Sequence, residues 1–252
     1  MRILSFEGIE GVGKSTQINL LKDFLEKNKY IVEVLREPGS TPAGENIRNI
    51  LLDKDSDISL KTELLLMFAA RSELISKKIN NLSCDYLLLD RFFDASLAYQ
   101  GYGRNLPLSL IKDLISFTGC PIPELTFLID ISVEEAFARK INDQKDRIES
   151  SGVEFFNNVR NGYLDIAKNN KNRFVVLDGT LGITNQETSN INIGYNTGTA
   201  IAITSDRYVT KPNQPMFAAQ GSGDAISAQS ALPFDSINYN IGSHWNNSTF
   251  IP

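Results

Sequence analysis

The feature that most constrains the fold of this chain is a glycine-rich loop close to its start, Gly8-Ile9-Glu10-Gly11-Val12-Gly13-Lys14-Ser15. The loop matches the pattern G-x-x-x-x-G-K-[ST], and it lies between an apolar run over residues 1–6 and a helix-like segment over residues 16–21. Because glycines allow successive backbone N–H groups to point inward, such a loop surrounds a small, highly charged anion. The pattern therefore predicts a strand, a phosphate-binding loop and a helix, whereas the alternative is a chance glycine-rich turn.

The residues of this loop are the first candidates for phosphate binding. Lys14 is expected to reach the terminal phosphates of a nucleotide, and Ser15 is expected to place its hydroxyl on Mg²⁺. The N-terminus of the following helix adds its positive end at the same place. The predicted nucleotide-binding residues of this segment are Gly8, Ile9, Glu10, Gly11, Val12, Gly13, Lys14, Ser15 and Thr16.

The charge and the apolar runs of the chain argue against several classes of protein. A net charge of −5 argues against a general binder of nucleic acids or anionic membranes, because both need a basic surface. The longest apolar runs have the length of strands, so we expect no signal peptide, no membrane span and a cytoplasmic protein. Cys84 and Cys120 lie in or beside apolar segments, which favours buried thiols over a disulfide or a metal site.

The composition of the chain changes near Thr180. Residues 181–252 contain six charged residues, although the whole chain contains 25 Lys and Arg and 30 Asp and Glu. They are rich in Asn, Ser, Thr, Gly and Ala, and their short alternating segments show no helical period. We therefore predict two parts, a folded domain over residues 1–180 and a β-like or poorly ordered appendage over residues 181–252.

Residues 1–180 alternate between strand-like and helix-like segments. Continuous apolar segments predict strands that are buried on both faces, an alternating segment predicts the strand over 30–35, and segments with helical spacing of apolar residues separate the strands. This alternation predicts an α/β fold with a five-stranded parallel sheet and helices on both faces. The predicted strands are 1–6, 30–35, 86–89, 125–131 and 174–177, and the predicted helices are 16–21, 43–52, 57–80, 133–141 and 152–168. Gly8, Arg36, Asp90, Arg91 and Asp178 follow strands, where ligands of such sheets bind.

Several motifs in residues 1–180 agree in order and spacing with one family, and together they resemble the bacterial thymidylate kinases, which are P-loop kinases. The resemblance implies a dTMP kinase that uses ATP and Mg²⁺ to convert thymidine monophosphate to the diphosphate for dTTP synthesis. It also implies a homodimer formed through the kinase domain. The motifs are Phe6-Glu7-Gly8 with the loop up to Thr16, Arg36-Glu37-Pro38-Gly39, Leu66-Met67-Phe68-Ala69-Ala70-Arg71, Asp90-Arg91-Phe92, Ser96-Leu97-Ala98-Tyr99-Gln100-Gly101 and Asp146-Arg147-Ile148-Glu149.

The resemblance assigns Arg36 and Arg91 to the phosphate of the monophosphate, because guanidinium groups bind phosphate oxygens with two parallel hydrogen bonds. The alternative for each is a surface ion pair, with Glu37 or Asp90 as the partner. Asp90 is also a candidate magnesium residue beside Ser15, or else the N-cap of a helix.

The same resemblance assigns residues to the base and the sugar. Phe68 would stack on the base and Arg71 would reach a pyrimidine oxygen, although an aromatic residue on a helical stripe commonly belongs to the core. Tyr99 would crowd the 2′ carbon of the sugar and so favour deoxyribose. Ser96 and Gln100 would line the base pocket, unless they cap a helix or lie at the surface.

The stretch from Arg139 to Arg147 departs from the family pattern. Relatives without an arginine in the phosphate loop bring arginines from a mobile lid, and here the middle of that stretch is poor in cations. The resemblance assigns Arg147 to the phosphates and Arg139 to ATP, while Lys140 and Lys145 stay open as further cations. The implied catalytic residues are Lys14, Arg91, Arg147 and Glu10, and Glu10 would approach the 3′-hydroxyl of the sugar or a metal-bound water.

The end of the chain departs from the family as well. Relatives add a final amphipathic helix after the last strand, and residues 181–184 carry no such pattern. Residues 216–252 weakly resemble the start of a complement globular-head-like module of trimeric fibres, which predicts a fusion or a truncation near residue 180. Two alternatives to a dTMP kinase therefore stay open: a kinase for another nucleoside monophosphate, and an inactive kinase fold that carries a fibre-type tail.

Overall fold

The computed structural model describes residues 1–140 and 146–180 in full and, beyond them, the backbone of four strands over 189–193, 201–204, 217–218 and 237–241. The chain divides into two compact units. The first contains residues 1–14 and 31–176, and the second contains residues 15–30 and 177–252. The candidate residues from Gly8 to Lys14 and from Arg36 to Arg147 belong to the first unit, whereas Ser15 and Thr16 belong to the second.

Five parallel strands form the central sheet, in the order β2-β3-β1-β4-β5. Their bounds are β1 Arg2–Glu7, β2 Val32–Arg36, β3 Tyr86–Asp90, β4 Leu125–Asp130 and β5 Phe174–Asp178. Leu87, Leu88 and Leu89 of β3 have no exposed surface, as expected for a strand covered on both faces. The prediction of a five-stranded parallel sheet is confirmed, and each predicted strand agrees with an observed one to within a few residues.

Helices and short helical turns connect the strands. The helices are α1 Lys14–Lys27, α2 Pro42–Leu52, α3 Leu60–Lys77, α4 Phe93–Ser96, α5 Leu108–Phe117, α6 Val133–Ala138 and α7 Val153–Asn169. A π-helical turn covers Leu97–Gly103, and single 3₁₀ turns cover Ile79–Asn81 and Glu149–Ser151. Three helix starts are fixed by hydroxyl N-caps on Thr41, Ser59 and Ser132, whose oxygens accept hydrogen bonds from backbone N–H groups.

The Ser59 cap explains why α3 starts at Leu60, three residues later than the spacing of apolar residues predicts. The helices between β3 and β4 were not predicted, and neither was the π-helical turn. In that turn the N–H of Arg104 donates to the carbonyl of Tyr99 at 2.9 Å, five residues back. Hydrophobic periodicity does not detect such a turn, because its apolar residues repeat with neither the period of a strand nor that of an α-helix.

Helix α7 packs closely on the π-helical turn. A Cβ atom on Gly162 would lie 2.5 Å from Cγ of Tyr102, and one on Gly103 would lie 2.6 Å from Cε2 of Phe155. Both positions therefore require glycine. The close approach brings Tyr163 of α7 to Tyr99 of the turn, with ring centroids 6.1 Å apart.

The second unit contains residues 15–30, most of which belong to α1, and an antiparallel sheet of four strands in the order β8-β7-β6-β9. The strands are β6 Ser189–Ile193, β7 Ile201–Thr204, β8 Phe217–Ala218 and β9 Ile237–Ile241. Their presence agrees with the predicted β character of residues 181–252. The resemblance to a complement globular-head-like module falls mostly outside the described residues and stays a prediction, as does the domain boundary at 180.

Two further expectations concern cysteines and membranes. Cys84 and Cys120 are free and half-buried, so they are less buried than the sequence predicted. Within the part of the chain that the structure describes, no helix has the length and apolar content needed to cross a bilayer.

Candidate active site

The phosphate loop leaves the carboxyl end of β1 and requires glycine at two of its positions. Gly8 has φ of +132°, and a Cβ atom there would overlap the carbonyl oxygen of Ile129 at the end of β4. Gly11 has φ of +78°, and a Cβ atom there would overlap the carbonyl oxygen of Ala136 in α6. The loop is therefore held against two neighbouring elements by close backbone contacts that any side chain would break.

Lys14 is buried at the end of this loop. Its Nζ donates to the carbonyls of Gly8 at 3.1 Å and Ile9 at 2.8 Å, and its side chain leaves little surface exposed. Burial lowers the pKa of Lys14 from 10.5 to about 8, and the guanidinium of Arg91 lowers it further while three carboxylates oppose the change. Since an ammonium has three N–H donors, one remains for a ligand. A phosphate at this place would supply the anionic partner that favours the charged amine.

Arg91 is the residue that joins the loop to β3. Its Nη1 donates to the Gly8 carbonyl at 2.7 Å, and its Nη2 pairs with Oε1 of Glu10 at 2.8 Å. Its guanidinium also lies over the ring of Tyr99, 4.8 Å from the centroid. Arg91 therefore has Glu10 as an ionic partner, whereas the alternative interpretation suggested Asp90.

Tyr99 completes this cluster. Its hydroxyl lies 2.8 Å from both carboxylate oxygens of Glu10. Burial raises the pKa of Tyr99 well above its usual value, so the hydroxyl stays protonated and donates to Glu10. Three residues that the sequence placed in separate motifs, Glu10, Arg91 and Tyr99, thus meet at one point beside the phosphate loop.

Two further arginines lie near this cluster. Arg36 is half-exposed and pairs with Glu45 of α2 at 2.9 Å, so its ionic partner is neither Glu37 nor Asp90. Arg48 of α2 donates to the Pro38 carbonyl at 2.9 Å, and burial followed by the charges of Arg36 and Arg91 lowers its pKa. A guanidinium whose pKa is lowered by burial and by neighbouring cations is typical of a site for a multiply charged anion. Sequence analysis missed Arg48, and the only signal for it was its position on the helix after the Arg-Glu-Pro-Gly turn.

A buried ion pair forms the next part of the site. Arg71 of α3 contacts Glu37 with Nε at 2.8 Å and Nη2 at 2.7 Å, and Nη2 also lies 3.3 Å from the Phe92 carbonyl. The guanidinium lies 4.7 Å from the centroid of the Phe68 ring. Within the described residues, Nη1 of Arg71 and Oε1 of Glu37 are buried without a hydrogen-bond partner. One donor and one acceptor are therefore available to the polar edge of a ligand.

Phe68 is 3% exposed, as a core residue would be, and its ring lies against the Arg71 guanidinium. Its assignment to the base of a nucleotide stays a prediction. Burial raises the pKa of Glu37, while Arg71 lowers it. An aromatic ring beside a partly satisfied ion pair suits a flat, polar, aromatic ligand.

Glu63 of α3 holds Gln100 of the π-helical turn and Arg104 directly after that turn. It is 1% exposed, and it accepts hydrogen bonds from Gln100 at 3.0 Å and from Arg104 at 3.3 Å. Burial raises the pKa of Glu63, but these donors and Arg147 lower it by more, so that the net effect is a lowered pKa. Gln100 is therefore a buried residue and not a surface one, and Ser96 is buried as well.

Arg147 lies on Glu63 and not on the phosphate loop. Its Nη2 pairs with Glu63 at 2.8 Å, and its Nε donates to the Leu51 carbonyl at 2.8 Å. A buried carboxylate needs cationic donors, and Arg147 supplies one of them. Arg139 has an exposed side chain at the end of α6, and Lys140 pairs with Glu149. Lys145 lies outside the described residues.

The candidate metal residues are Ser15, in the first turn of α1, and Asp90, half-buried at the end of β3. The charge of Asp90 raises the pKa of Lys14, so this carboxylate acts electrostatically on the phosphate loop. No three His, Cys, Asp or Glu side chains gather as a metal site in residues 1–140 and 146–180. One carboxylate beside a phosphate loop fits Mg²⁺, which is commonly held by one or two carboxylates together with substrate phosphates.

Comparison with known proteins identifies the family of the chain. The family model described as Thymidylate kinase matches residues 6–190. The chain is 44% identical over 194 residues to the thymidylate kinase of Chlorobium luteolum, an alignment that covers 72% of this chain and 91% of that relative. It is 44% identical over 184 residues to the thymidylate kinase of Kosmotoga olearia, covering 71% of this chain and 88% of that one. The crystal structure of thymidylate kinase from Ehrlichia chaffeensis aligns with a TM-score of 0.58 and 35% identity, over 70% of this chain and 91% of that one. The chain therefore belongs to the thymidylate kinase family of phosphotransferases.

Proposed function

We propose that this chain transfers the γ-phosphate of ATP to thymidine monophosphate, giving thymidine diphosphate and ADP. The observation that carries the proposal is the double contact of Arg91, which joins the phosphate loop at Gly8 to Glu10. A cation for one phosphate is thereby held beside a loop for another, as transfer between two phosphates requires. Membership of the thymidylate kinase family supports the choice of acceptor.

The reaction forms a bond between an oxygen of the acceptor phosphate and the γ-phosphorus, and it breaks the bond from that phosphorus to the β,γ-bridging oxygen. ADP leaves with the electron pair of the broken bond. The protein supplies positioning and charge neutralisation more than covalent chemistry. In this proposal Lys14 binds the transferred phosphate, Arg36 and Arg91 bind the acceptor phosphate, and Arg48 adds positive charge.

The acceptor's base and sugar lie between α3 and the π-helical turn in this proposal. Phe68 stacks on the base, and Nη1 of Arg71, which has no partner among the described residues, donates to a pyrimidine carbonyl. Ser96 and Gln100 line the same pocket. Glu10 and Tyr99 contact the sugar, with Glu10 at the 3′-hydroxyl and Tyr99 against the 2′ carbon, where a ribose hydroxyl would collide with the ring.

In this proposal Ser15 and Asp90 would hold the Mg²⁺ that accompanies ATP, Ser15 through its hydroxyl and Asp90 through its carboxylate. The ion would supply neutralisation of the phosphate charge. Arg139 contacts ATP. A phosphate role for Arg147 requires that it exchange Glu63 for phosphate oxygens, and the cost of leaving Glu63 buried with fewer donors opposes that exchange.

The proposal also includes a homodimer formed through residues 1–180, action in the cytoplasm and no binding of nucleic acids. Leu60 and Leu65 of α3 are 42% and 59% exposed, which supports a contact through this helix. Light scattering on the purified chain measures the oligomeric state. The Leu65→Glu variant should shift the mass to that of a monomer, and an unchanged dimer would exclude α3 from the interface.

The activity is tested by an assay that couples ADP release to a spectroscopic signal, with ATP, Mg²⁺ and one acceptor at a time. We expect thymidine monophosphate to have a kcat/KM at least about tenfold above deoxyuridine and deoxycytidine monophosphates, a difference of about 1.4 kcal/mol. The Lys14→Met variant is the control for contaminating kinases. Preference for another monophosphate would assign a different acceptor, and absence of ADP release with every acceptor would identify an inactive fold.

A further inference from the structure

Glu7, at the carboxyl end of β1, is a carboxylate with no exposed surface directly before the phosphate loop. It cannot touch a substrate, and yet it is fully partnered. One carboxylate oxygen accepts from the backbone N–H of Phe92 at 2.7 Å, and the other accepts from the hydroxyl of Tyr163 at 2.7 Å. Phe92 directly follows Arg91 in the chain, and the Tyr163 hydroxyl is hydrogen-bonded to the Arg91 guanidinium.

The backbone route to Arg91 runs through two consecutive N–H groups. The N–H of Arg91 donates to the carbonyl of Phe6 at 3.0 Å, and the next N–H, that of Phe92, donates to the side chain of Glu7. Arg91 has φ of +68°, the left-handed region that a residue with a side chain adopts at a cost. The end of β1 thus holds the backbone N–H groups of Arg91 and of the residue after it, and so fixes the strained backbone of Arg91.

The side-chain route runs through α7. The hydroxyl of Tyr163 donates to Glu7 and lies 3.2 Å from Nη1 of Arg91, from which it accepts a hydrogen bond. The same Nη1 donates to Gly8 at 2.7 Å. When Glu7 is ionised, the hydroxyl's one proton is used on Glu7, and its oxygen is left to accept from Arg91. Glu7 therefore sets the direction of the hydrogen bond that Tyr163 makes to the guanidinium.

We propose that Glu7 is a positioning residue that acts through the Phe92 N–H and the Tyr163 hydroxyl to keep the Arg91 guanidinium at Gly8 and Glu10, ready for the acceptor phosphate. The inference rests on the proposed function for the identity of that phosphate. It goes further because it assigns the orientation of the Arg91 guanidinium to a buried carboxylate that does not contact the substrate. The backbone and side-chain routes each end on Arg91, and a role confined to core stability requires neither.

The chain offers a matched control on the same strand. Ser5, two residues before Glu7 on β1, is also fully buried, and its hydroxyl lies 2.7 Å from that of Thr126 on β4. Side chains two residues apart on a strand lie on the same face. Ser5→Ala removes a buried polar contact on the same strand whose partner is Thr126 and not a neighbour of Arg91, so it reports what loss of core hydrogen bonding alone does.

The test compares the wild-type chain with Glu7→Gln, Tyr163→Phe and Ser5→Ala in steady-state kinetics. Burial raises the pKa of Glu7 to about 8, so the assays are run about one pH unit above that value, where Glu7 is ionised. There we expect Glu7→Gln to lower kcat/KM for thymidine monophosphate at least about tenfold while KM for ATP stays within about twofold. In an Arg91→Lys background the same substitution should cost less than about threefold, because the group it positions is gone. Ser5→Ala should leave both constants within about twofold of wild type. The inference would be overturned if Glu7→Gln changed kcat/KM and KM no more than Ser5→Ala does. It would also be overturned if Glu7→Gln lowered kcat/KM by the same factor in wild type and in the Arg91→Lys background.

A second readout does not depend on turnover. The side-chain ¹H–¹⁵N resonances of Arg91, assigned by their loss in Arg91→Lys, should shift or average in Glu7→Gln and stay unchanged in Ser5→Ala. If wild type fails to phosphorylate thymidine monophosphate, the proposed function fails, and these resonances alone decide the role of Glu7. If Glu7→Gln does not fold, Tyr163→Phe carries the same test, because it removes the side-chain route and keeps the ring. Unchanged Arg91 resonances in every variant that folds would refute the positioning role.

Discussion

Substitution of Lys14 by methionine should abolish transfer and at the same time stabilise the fold. Lys14 is 8% exposed at the end of the phosphate loop, and its pKa falls from 10.5 to about 8 because burial disfavours the charged amine. Methionine is of similar length and carries no charge, so it keeps most of the packing and removes the buried ammonium. Function and stability are therefore expected to change in opposite directions.

The size of the gain follows from the pKa. Each pKa unit corresponds to about 1.4 kcal/mol, so the fall from 10.5 to about 8 means that holding the charged amine costs the folded state roughly 3 kcal/mol. Methionine also gives up the hydrogen bonds from Nζ to Gly8 and Ile9, each worth about 1 kcal/mol net. Gly8 O keeps its bond from Arg91, which limits that loss. A net stabilisation of about 1–2 kcal/mol remains at pH 7.

The sign changes with pH in a defined window. The folded pKa of Lys14, about 8, lies below its unfolded value, so its destabilising effect is fully present below pH 8 and disappears as the pH rises to 10.5. Urea unfolding of wild type and Lys14→Met at pH 7 and pH 10 measures the difference. Lys22→Met is the control, because Lys22 is partly exposed and pairs with Glu26 on the surface of α1. Lower stability of Lys14→Met at pH 7, or a difference between the variants that does not depend on pH, would refute the reasoning.

Three other predictions concern the sugar, a buried carboxylate and the tail. Tyr99→Ala should admit the ribonucleotide, so the ratio of kcat/KM for deoxyribose over ribose acceptors should fall by about tenfold or more, and an unchanged ratio would remove Tyr99 from the sugar pocket. Burial raises the pKa of Glu7 from 4.5 to about 8, with Asp94 as the second cause, so its stabilising contribution is complete below pH 4.5 and is lost as the pH rises to about 8. Glu7→Gln should therefore flatten the decline of unfolding free energy between pH 5 and pH 8, and a slope equal to that of wild type would contradict the shift. Residues 1–180 alone should bind ATP with an affinity close to that of the full chain but melt at a lower temperature, and a short form that binds no ATP while the long form does would assign residues 181–252 to the enzyme.

The sequence by itself determined the parts whose signals are local. Glycine spacing around Lys14 identifies the phosphate loop, because a side chain at Gly8 or Gly11 would meet backbone of another element. Apolar runs and, in β2, an alternation of apolar and polar residues identify all five strands of the central sheet, since neighbouring residues of a strand face opposite sides of the sheet. The motifs that resemble thymidylate kinases identify the family, because each motif is a short segment that can be recognised without knowing which residues it contacts.

Only the tertiary structure decided which of these parts meet. Glu10 contacts Arg91 and Tyr99, which lie 81 and 89 residues away along the chain, because β1 and β3 are neighbours in the sheet. No local pattern shows that Arg147 lies on Glu63, that Arg36 pairs with Glu45, or that a π-helical turn presents Tyr99. These pairings depend on which carboxylates become buried and on which cations lie close enough to neutralise them. Local composition determines strands and helices, whereas burial of charge in the assembled fold determines the partners of each functional side chain.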